Sequence, residues 1–295
     1  MARIAIIGGG SMGEALLAGL LRSGRQVKDL VVAERVAARA RYLADTYAVQ
    51  IAPVVDAAEN ATYVIVAVKP TDVESVVAKI AEATAKAEAD SAEQVFVTIA
   101  AGVTTAFFES KLPAGAPVVR GMPNAPALVG AGVTALAPGR FASEEQLKGV
   151  AELFEAVGGV LTVSEAQLDA VTAVSGSGPA YFLLMAEALV DAGVAAGLSR
   201  SVATDLASQT MAGSAAMLLE RIDEGRAHAA GGNGTGGFGA GIDTTAAQLR
   251  ALITSPGGTT AAGLRELERG GLRAAVAEAV EAARARSEQL GITSE

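Results

Sequence analysis

At 295 residues, with 51% hydrophobic and 19% charged side chains, the chain is long enough for two domains and too apolar to be disordered. Its 23 Lys and Arg against 32 Asp and Glu leave a net charge of −9, which excludes the basic field that nucleic acid or an anionic membrane selects. The absence of cysteine removes disulfides, iron–sulfur clusters and thiol catalysis, and a single His argues against a nitrogen-ligated metal, so none is expected.

The N-terminus runs from Met1-Ala2-Arg3 into an apolar stretch at 4–7 that is too short for a signal peptide. The longest uncharged stretch, 121–139, contains Pro123, Pro126 and Pro138, unlike a membrane-spanning helix. A soluble, cytoplasmic protein with neither membrane nor nucleic-acid partner is expected. Short β-rich runs at 3–7, 30–33, 63–68, 94–99 and 117–120 alternate with segments of helical composition such as 13–21 and 73–87. This alternation predicts a mostly parallel sheet covered on both faces by helices. After residue 164 the β pattern stops, and apolar residues recur at helical spacing in 180–194, 202–219 and 274–290. The expected organisation is an α/β domain over 1–163 followed by an all-α domain over 164–295. Within the latter, 225–241 holds eight glycines and reads as a flexible loop.

The first strand runs into Gly8-Gly9-Gly10-Ser11-Met12-Gly13 and then an apolar helical segment, a GxGxxG motif in the strand–turn–helix context of a Rossmann-type dinucleotide-binding domain. Gly8 allows the tight turn, Gly10 lets the backbone approach a pyrophosphate, and Gly13 lets helix and strand pack closely. Glu34, at the end of the second strand, is placed to accept hydrogen bonds from the adenosine ribose, which favours NAD. Arg35 and Arg39 follow and are placed to hold a 2′-phosphate instead, so NADPH and NADH both stay open. The later strand ends Ala67-Val68-Lys69-Pro70, Ala100-Ala101-Gly102 and Arg120-Gly121-Met122-Pro123-Asn124 open on the same crevice, with Lys69 and Asn124 as polar candidates for cofactor contact.

The reaction class is narrowed by what is missing. Hydride transfer from an alcohol needs a base, usually His or Lys, but the only His is His228 in the glycine-rich segment and no Lys follows Lys148. No Tyr has a Lys four residues later. Reduction of a cyclic imine asks little of side-chain acids, because the substrate arrives protonated and electrophilic. Ser175-Gly176-Ser177-Gly178-Pro179-Ala180-Tyr181 is read as a turn able to approach a ligand, with Pro near the start of a helix. Ser255-Pro256-Gly257-Gly258-Thr259-Thr260 precedes a helix expected over 261–268, and exposes backbone N–H and hydroxyl donors suited to a substrate carboxylate.

With these residues in place, the chain resembles pyrroline-5-carboxylate reductases over nearly its whole length. The likeness rests on the glycine fingerprint with Met12, the strand ends 67–70 and 100–102, residues 120–126, the 175–181 motif and, most specifically, Ser255 to Thr260. The resemblance implies hydride delivery from NADPH or NADH to the C=N bond of 1-pyrroline-5-carboxylate, giving proline. It places Thr260 at the ring nitrogen, with Ser255, Gly257, Gly258 and Thr259 around the carboxylate and Ser177 nearby. It also implies a homodimer through the helical domain, and dimers that often associate further. The chain departs from the pattern in about twenty extra residues between Glu220 and Ser255, and in Ala251-Leu252 where the family often has Asp or Asn. The other readings are a related imine or β-hydroxyacid reductase and a non-catalytic dinucleotide sensor.

Overall fold

The computed structural model describes residues 2–86, 94–231 and 245–291. In chain order the elements are β1 (Ile4–Ile7), α1 (Ser11–Arg22), β2 (Leu30–Ala33), α2 (Ala37–Tyr47), β3 (Gln50–Ile51), α3 (Val54–Ala58), β4 (Tyr63–Val66), α4 (Pro70–Lys86), β5 (Val95–Thr98), α5 (Thr105–Lys111), β6 (Val118–Met122), β7 (Gly132–Pro138), α6 (Glu144–Phe154) and β8 (Gly158–Thr162). Helices follow: α7 (Leu168–Val171), α8 (Gly178–Ala195), α9 (Arg200–Gly231), α10 (Thr245–Leu252), α11 (Thr259–Arg269) and α12 (Leu272–Leu290).

The eight strands form one sheet in the order β3-β2-β1-β4-β5-β6-β7-β8. Pairings through β6 are parallel; β7 runs antiparallel to β6, and β8 parallel to β7. The alternation of strand side chains divides the core into two layers. Ile4, Ile6, Leu30, Val32 and Ile65 meet Leu16, Leu17 and Leu20 of α1 and Leu153 and Phe154 of α6. Ala5, Ile7, Val31, Ala33, Val64 and Val66 meet Val73, Val77 and Ile80 of α4 and Phe107 and Phe108 of α5. The five expected strands are present. Three further strands, β3, β7 and β8, lie outside those expected. β3 has only two residues, while the Gly-, Ala- and Pro-bearing sequences of β7 and β8 lack the β-branched density that marks a strand.

Two compact units divide the chain, one of Met1–Pro179 with Ala279–Glu295 and one of Ala180–Glu278. In the second, α8 and α9 are joined by a short turn with Gly197 at φ +103°. Gly197 and Leu198 donate to the Val194 and Gly193 carbonyls, a glycine-terminated helix end. The flexible loop expected over 225–241 is corrected in its first part, because α9 remains helical through Gly231. Residues 232–241 lie outside the described residues. The helical run Glu165–Ala195 is long and apolar enough to cross a membrane by length and composition.

Candidate active site

Strand order reverses at β1, whose neighbours are β2 and β4, and the crevice beyond the strand ends at such a point is where open α/β sheets bind ligands. The chain leaves β1 there through Gly8, at φ +112°, where an added Cβ would lie 2.8 Å from the Ala67 carbonyl oxygen. A Cβ on Gly13 would overlap the Gly8 carbonyl oxygen, so α1 can approach β1 only without one. Gly10 differs: a Cβ there would meet nothing within 4 Å. Gly10 is the N-cap of α1, and the first helical bond runs from the Glu14 N–H to the Gly10 carbonyl at 2.9 Å. The N–H groups of Gly10, Ser11, Met12 and Gly13 therefore precede the helical ladder, at the positive end of the helix dipole. Open space beside unpaired donors fits a dinucleotide pyrophosphate. Met12 contributes its backbone at this point, while its half-buried side chain joins the core under α1.

The three charged candidates after β2, Glu34, Arg35 and Arg39, make separate contacts. Glu34 accepts from the Gly9 N–H at 2.9 Å with Oε2 and from the Val36 N–H at 2.7 Å with Oε1, so its carboxylate braces the loop. Arg39 donates from Nε to the Gly9 carbonyl at 2.7 Å, pairs with Glu14 through its guanidinium, and lies 5.0 Å over the Tyr42 ring. Tyr47 Oη donates to Glu14 Oε1 at 2.9 Å. Burial raises the Glu14 pKa, but the hydrogen bonds from Arg39, Tyr47 and Tyr42 outweigh it and hold the carboxyl below its ordinary range. Burial, reinforced by the bond to Glu14, raises the Tyr47 phenol. Arg35 is open, with 84% of its side chain exposed and Asp72 Oδ1 at 3.7 Å. The Glu14–Arg39–Tyr47 cluster was not foreseen as a unit. Its available signal was an acid in the first turn of a phosphate-facing helix, a place that demands a nearby cation.

At the β4 end, Ala67 donates to the Ile7 carbonyl at 2.8 Å, Val68 is half-buried, and Lys69 is exposed ahead of Pro70, the first residue of α4. Beyond β5, Ala100 is buried and Ala101 exposed. Gly102, at φ +74°, faces the C-terminal end of α12, where a Cβ would lie 2.8 Å from the Leu290 carbonyl oxygen. Asn124 is buried: its Nδ2 donates to the Ser175 carbonyl at 3.1 Å and its Oδ1 accepts from the Val133 N–H at 2.9 Å. Its amide thus clamps the β6–β7 connection to the start of the helical run. Arg120, also buried, lies 3.3 Å from Glu165 Oε1, and Glu165 further accepts from the Thr105 N–H and hydroxyl at 2.8 and 2.6 Å.

The turn expected at 175–181 is instead a π-helical turn, Thr172–Gly176, leading from α7 to α8. The Ser177 N–H closes it on the Thr172 carbonyl at 2.9 Å, and Ser175 Oγ donates to the Val171 carbonyl at 3.0 Å. Serines that bond back to the preceding turn let the helix widen rather than stop. Pro179 sits in the first turn of α8, where a missing N–H costs nothing.

In the second unit, Ser255 and Gly258 close a turn through the Gly258 N–H and Ser255 carbonyl at 3.0 Å, with Gly257 at φ +67°. Gly258 is the N-cap of α11 and offers no side-chain cap. The helix begins at Thr259, two residues before the expected start, so Thr259 and Thr260 are its first two residues. The first helical bond is from Ala262 to Gly258 at 3.1 Å. The N–H groups of Thr259, Thr260 and Ala261 precede it, and both threonines are exposed.

A family model described as pyrroline-5-carboxylate reductase dimerisation matches residues 165–290, and one described as NADP oxidoreductase, coenzyme F420-dependent, matches residues 3–102. The chain is 71% identical over 295 residues to the pyrroline-5-carboxylate reductase of Mycobacterium tuberculosis H37Rv, covering 100% of this chain and 99% of the relative. It is 41% identical over 291 residues to that of Synechocystis, with 98% of each covered. Among solved structures, a pyrroline-5-carboxylate reductase from Coxiella burnetii matches with a TM-score of 0.85 and 32% identity over 99% of each chain. The Plasmodium falciparum pyrroline carboxylate reductase with NADP bound matches with a TM-score of 0.76 and 27% identity, over 99% of this chain and 98% of that one. Full-length identity of this order, together with the glycine loop and the helix start at Thr259, means that the chain belongs to the pyrroline-5-carboxylate reductase family.

Proposed function

We propose that the protein reduces the C=N bond of 1-pyrroline-5-carboxylate to L-proline with NADPH or NADH, the last step of proline biosynthesis, in the cytoplasm. The observation that carries this reading is the 71% identity over the whole chain to a relative named for that reaction. When bound, the nicotinamide would supply the hydride for the imine carbon, and the nitrogen of the protonated imine would keep its proton. The unpaired N–H groups of Gly10 to Gly13 bind the pyrophosphate, and the strand ends at 67–70 and 100–102 line the rest of the cofactor cleft. Arg35, with its guanidinium in the open, is the residue that would meet a 2′-phosphate. The start of α11 takes the substrate carboxylate on the Thr259 to Ala261 N–H groups and on the turn Ser255, Gly257 and Gly258, while the Thr260 hydroxyl orients the ring nitrogen.

The working assembly is a homodimer formed through the helical domain, 164–295. Among the described residues of Ala180–Glu278 only Ala203 and Ala207 are buried hydrophobics, so a single copy gives these residues almost no core of their own. A second copy supplies the missing surface, and the apolar run Glu165–Ala195 belongs to that contact rather than to a membrane. Further association of dimers is part of the same proposal.

The test is steady-state turnover of the purified protein with 1-pyrroline-5-carboxylate and each cofactor, beside open-chain keto acids. Proline formation with little keto-acid reduction is expected. Preferential keto-acid turnover would shift the reading to a β-hydroxyacid reductase, and cofactor binding without turnover to a sensor.

A further inference from the structure

We propose that Arg39 is a positioning residue for the dinucleotide: it turns the Gly9–Gly10 peptide so that the Gly10 N–H faces the pyrophosphate, and it masks the acid that would otherwise repel it. The inference rests on reading the Gly8 to Gly13 loop as the cofactor site.

Both polar groups of Gly9 are occupied, its N–H by Glu34 Oε2 at 2.9 Å and its carbonyl by Arg39 Nε at 2.7 Å. In a planar trans peptide the carbonyl of one residue and the N–H of the next point in opposite directions. Holding the Gly9 carbonyl toward α2 therefore turns the Gly10 N–H away from α2, and the space around Gly10 is open. Without Arg39 the peptide, flanked by two glycines, is free to rotate and to present its carbonyl oxygen to the phosphates. The same guanidinium pairs with Glu14, a carboxylate in the first turn of the phosphate-binding helix, and so cancels a negative charge close to an anion site. The arginine is held in turn by the Tyr42 ring face and, through Glu14, by the Tyr47 hydroxyl. Because Arg39 acts on the pyrophosphate segment, which NADH and NADPH share, its effect should not depend on the 2′-phosphate.

The test compares Arg39→Met and Arg39→Lys by fluorescence titration of NADH and NADPH, steady-state kinetics and thermal melting. Lysine retains a cation for Glu14 but has no Nε–H for the Gly9 carbonyl, and it keeps the experiment informative if the methionine variant fails to fold. The expected result is that Arg39→Lys melts close to wild type yet binds both dinucleotides about tenfold more weakly, by the same factor, the size of one lost charge-assisted bond. The loss appears in KM for the cofactor and not in kcat. Weakening confined to NADPH would overturn the proposal in favour of direct 2′-phosphate contact. Wild-type affinity in Arg39→Lys would overturn it by leaving only the ion pair. A wild-type protein that binds neither dinucleotide would instead overturn the reading of the loop itself.

Discussion

Gly8, Gly10 and Gly13 look equivalent in the sequence but are required for different reasons, and substitution separates them. A Cβ at Gly13 collides with backbone, whereas one at Gly10 meets nothing within 4 Å. Gly10→Val should therefore fold, at the cost of a poorer helix cap worth roughly 1 kcal/mol. It should lose cofactor affinity by at least about a hundredfold, ~2.7 kcal/mol, because the valine takes the pyrophosphate's space. Dinucleotide titration checks this, and unchanged affinity would move the cofactor elsewhere. Arg35→Ala should raise KM for NADPH more than for NADH, since only a 2′-phosphate needs that charge; equal effects would make Arg35 a surface residue. Thr260→Ala keeps the backbone donors at the start of α11 and removes one hydroxyl, so kcat/KM should fall roughly 10- to 100-fold, ~1.4–2.7 kcal/mol. Thr259→Ala should cost less. Equal behaviour of the two alanine variants in steady-state assays would refute the assignment of Thr260. The tight turn at Gly8 and the close approach at Gly13 were legible because close backbone approach leaves a residue-type signature. That Glu34 and Arg39 both hydrogen-bond Gly9 was not, because which side chain turns toward Gly9 is decided by contacts about 25 to 30 residues apart in the chain.

Among elements, the central strands could be read directly because burial on both faces demands unbroken apolar runs such as Ile4–Ile7. β7 and β8 could not, since their small residues follow from packing between neighbours that a one-dimensional pattern does not show. The π-helical turn was hidden for a related reason. Gly176 and Pro179 usually signal a break, but the Ser177 N–H reaches the Thr172 carbonyl and keeps the path helical. What ties this turn to the sheet is Asn124, whose amide bridges Ser175 and Val133 from a buried position. Asn124→Ala leaves a carbonyl and an N–H without their partner and should destabilise the protein by roughly 1–3 kcal/mol. Asn124→Asp keeps an acceptor for Val133 but sets a carboxylate against the Ser175 carbonyl, so it should be no milder. Urea midpoints at constant m-value measure both, and wild-type stability in Asn124→Ala would show that the clamp contributes nothing.

For the whole molecule, the decisive observation is how little of the second unit is covered. Phe182, Leu183 and Leu184 are consecutive residues of α8 with 66%, 58% and 66% of their surface exposed. Successive helical residues step by about 100°, so these three point around more than half the circumference of the helix. A partner that touched one face would leave at least one of them in water, whereas a helix apolar on most sides is one enclosed by others. This geometry favours a second copy whose helices interleave with these over one that meets them at a flat face. Leu184→Glu tests it, because in a two-fold dimer the substitution occurs twice. Each copy forfeits the roughly 1.5–3 kcal/mol of a buried leucine and must also desolvate a carboxylate. The dimer dissociation constant should then rise by on the order of a hundredfold or more, visible as a shift toward monomer in sedimentation at micromolar protein. Turnover should fall with dimer population and recover in part as protein concentration is raised, since α11, which carries Thr260, belongs to the same uncovered unit. A variant that stays dimeric with full activity would place α8 outside the interface, and the apolar surface from Phe182 to Leu184 would then need another occupant.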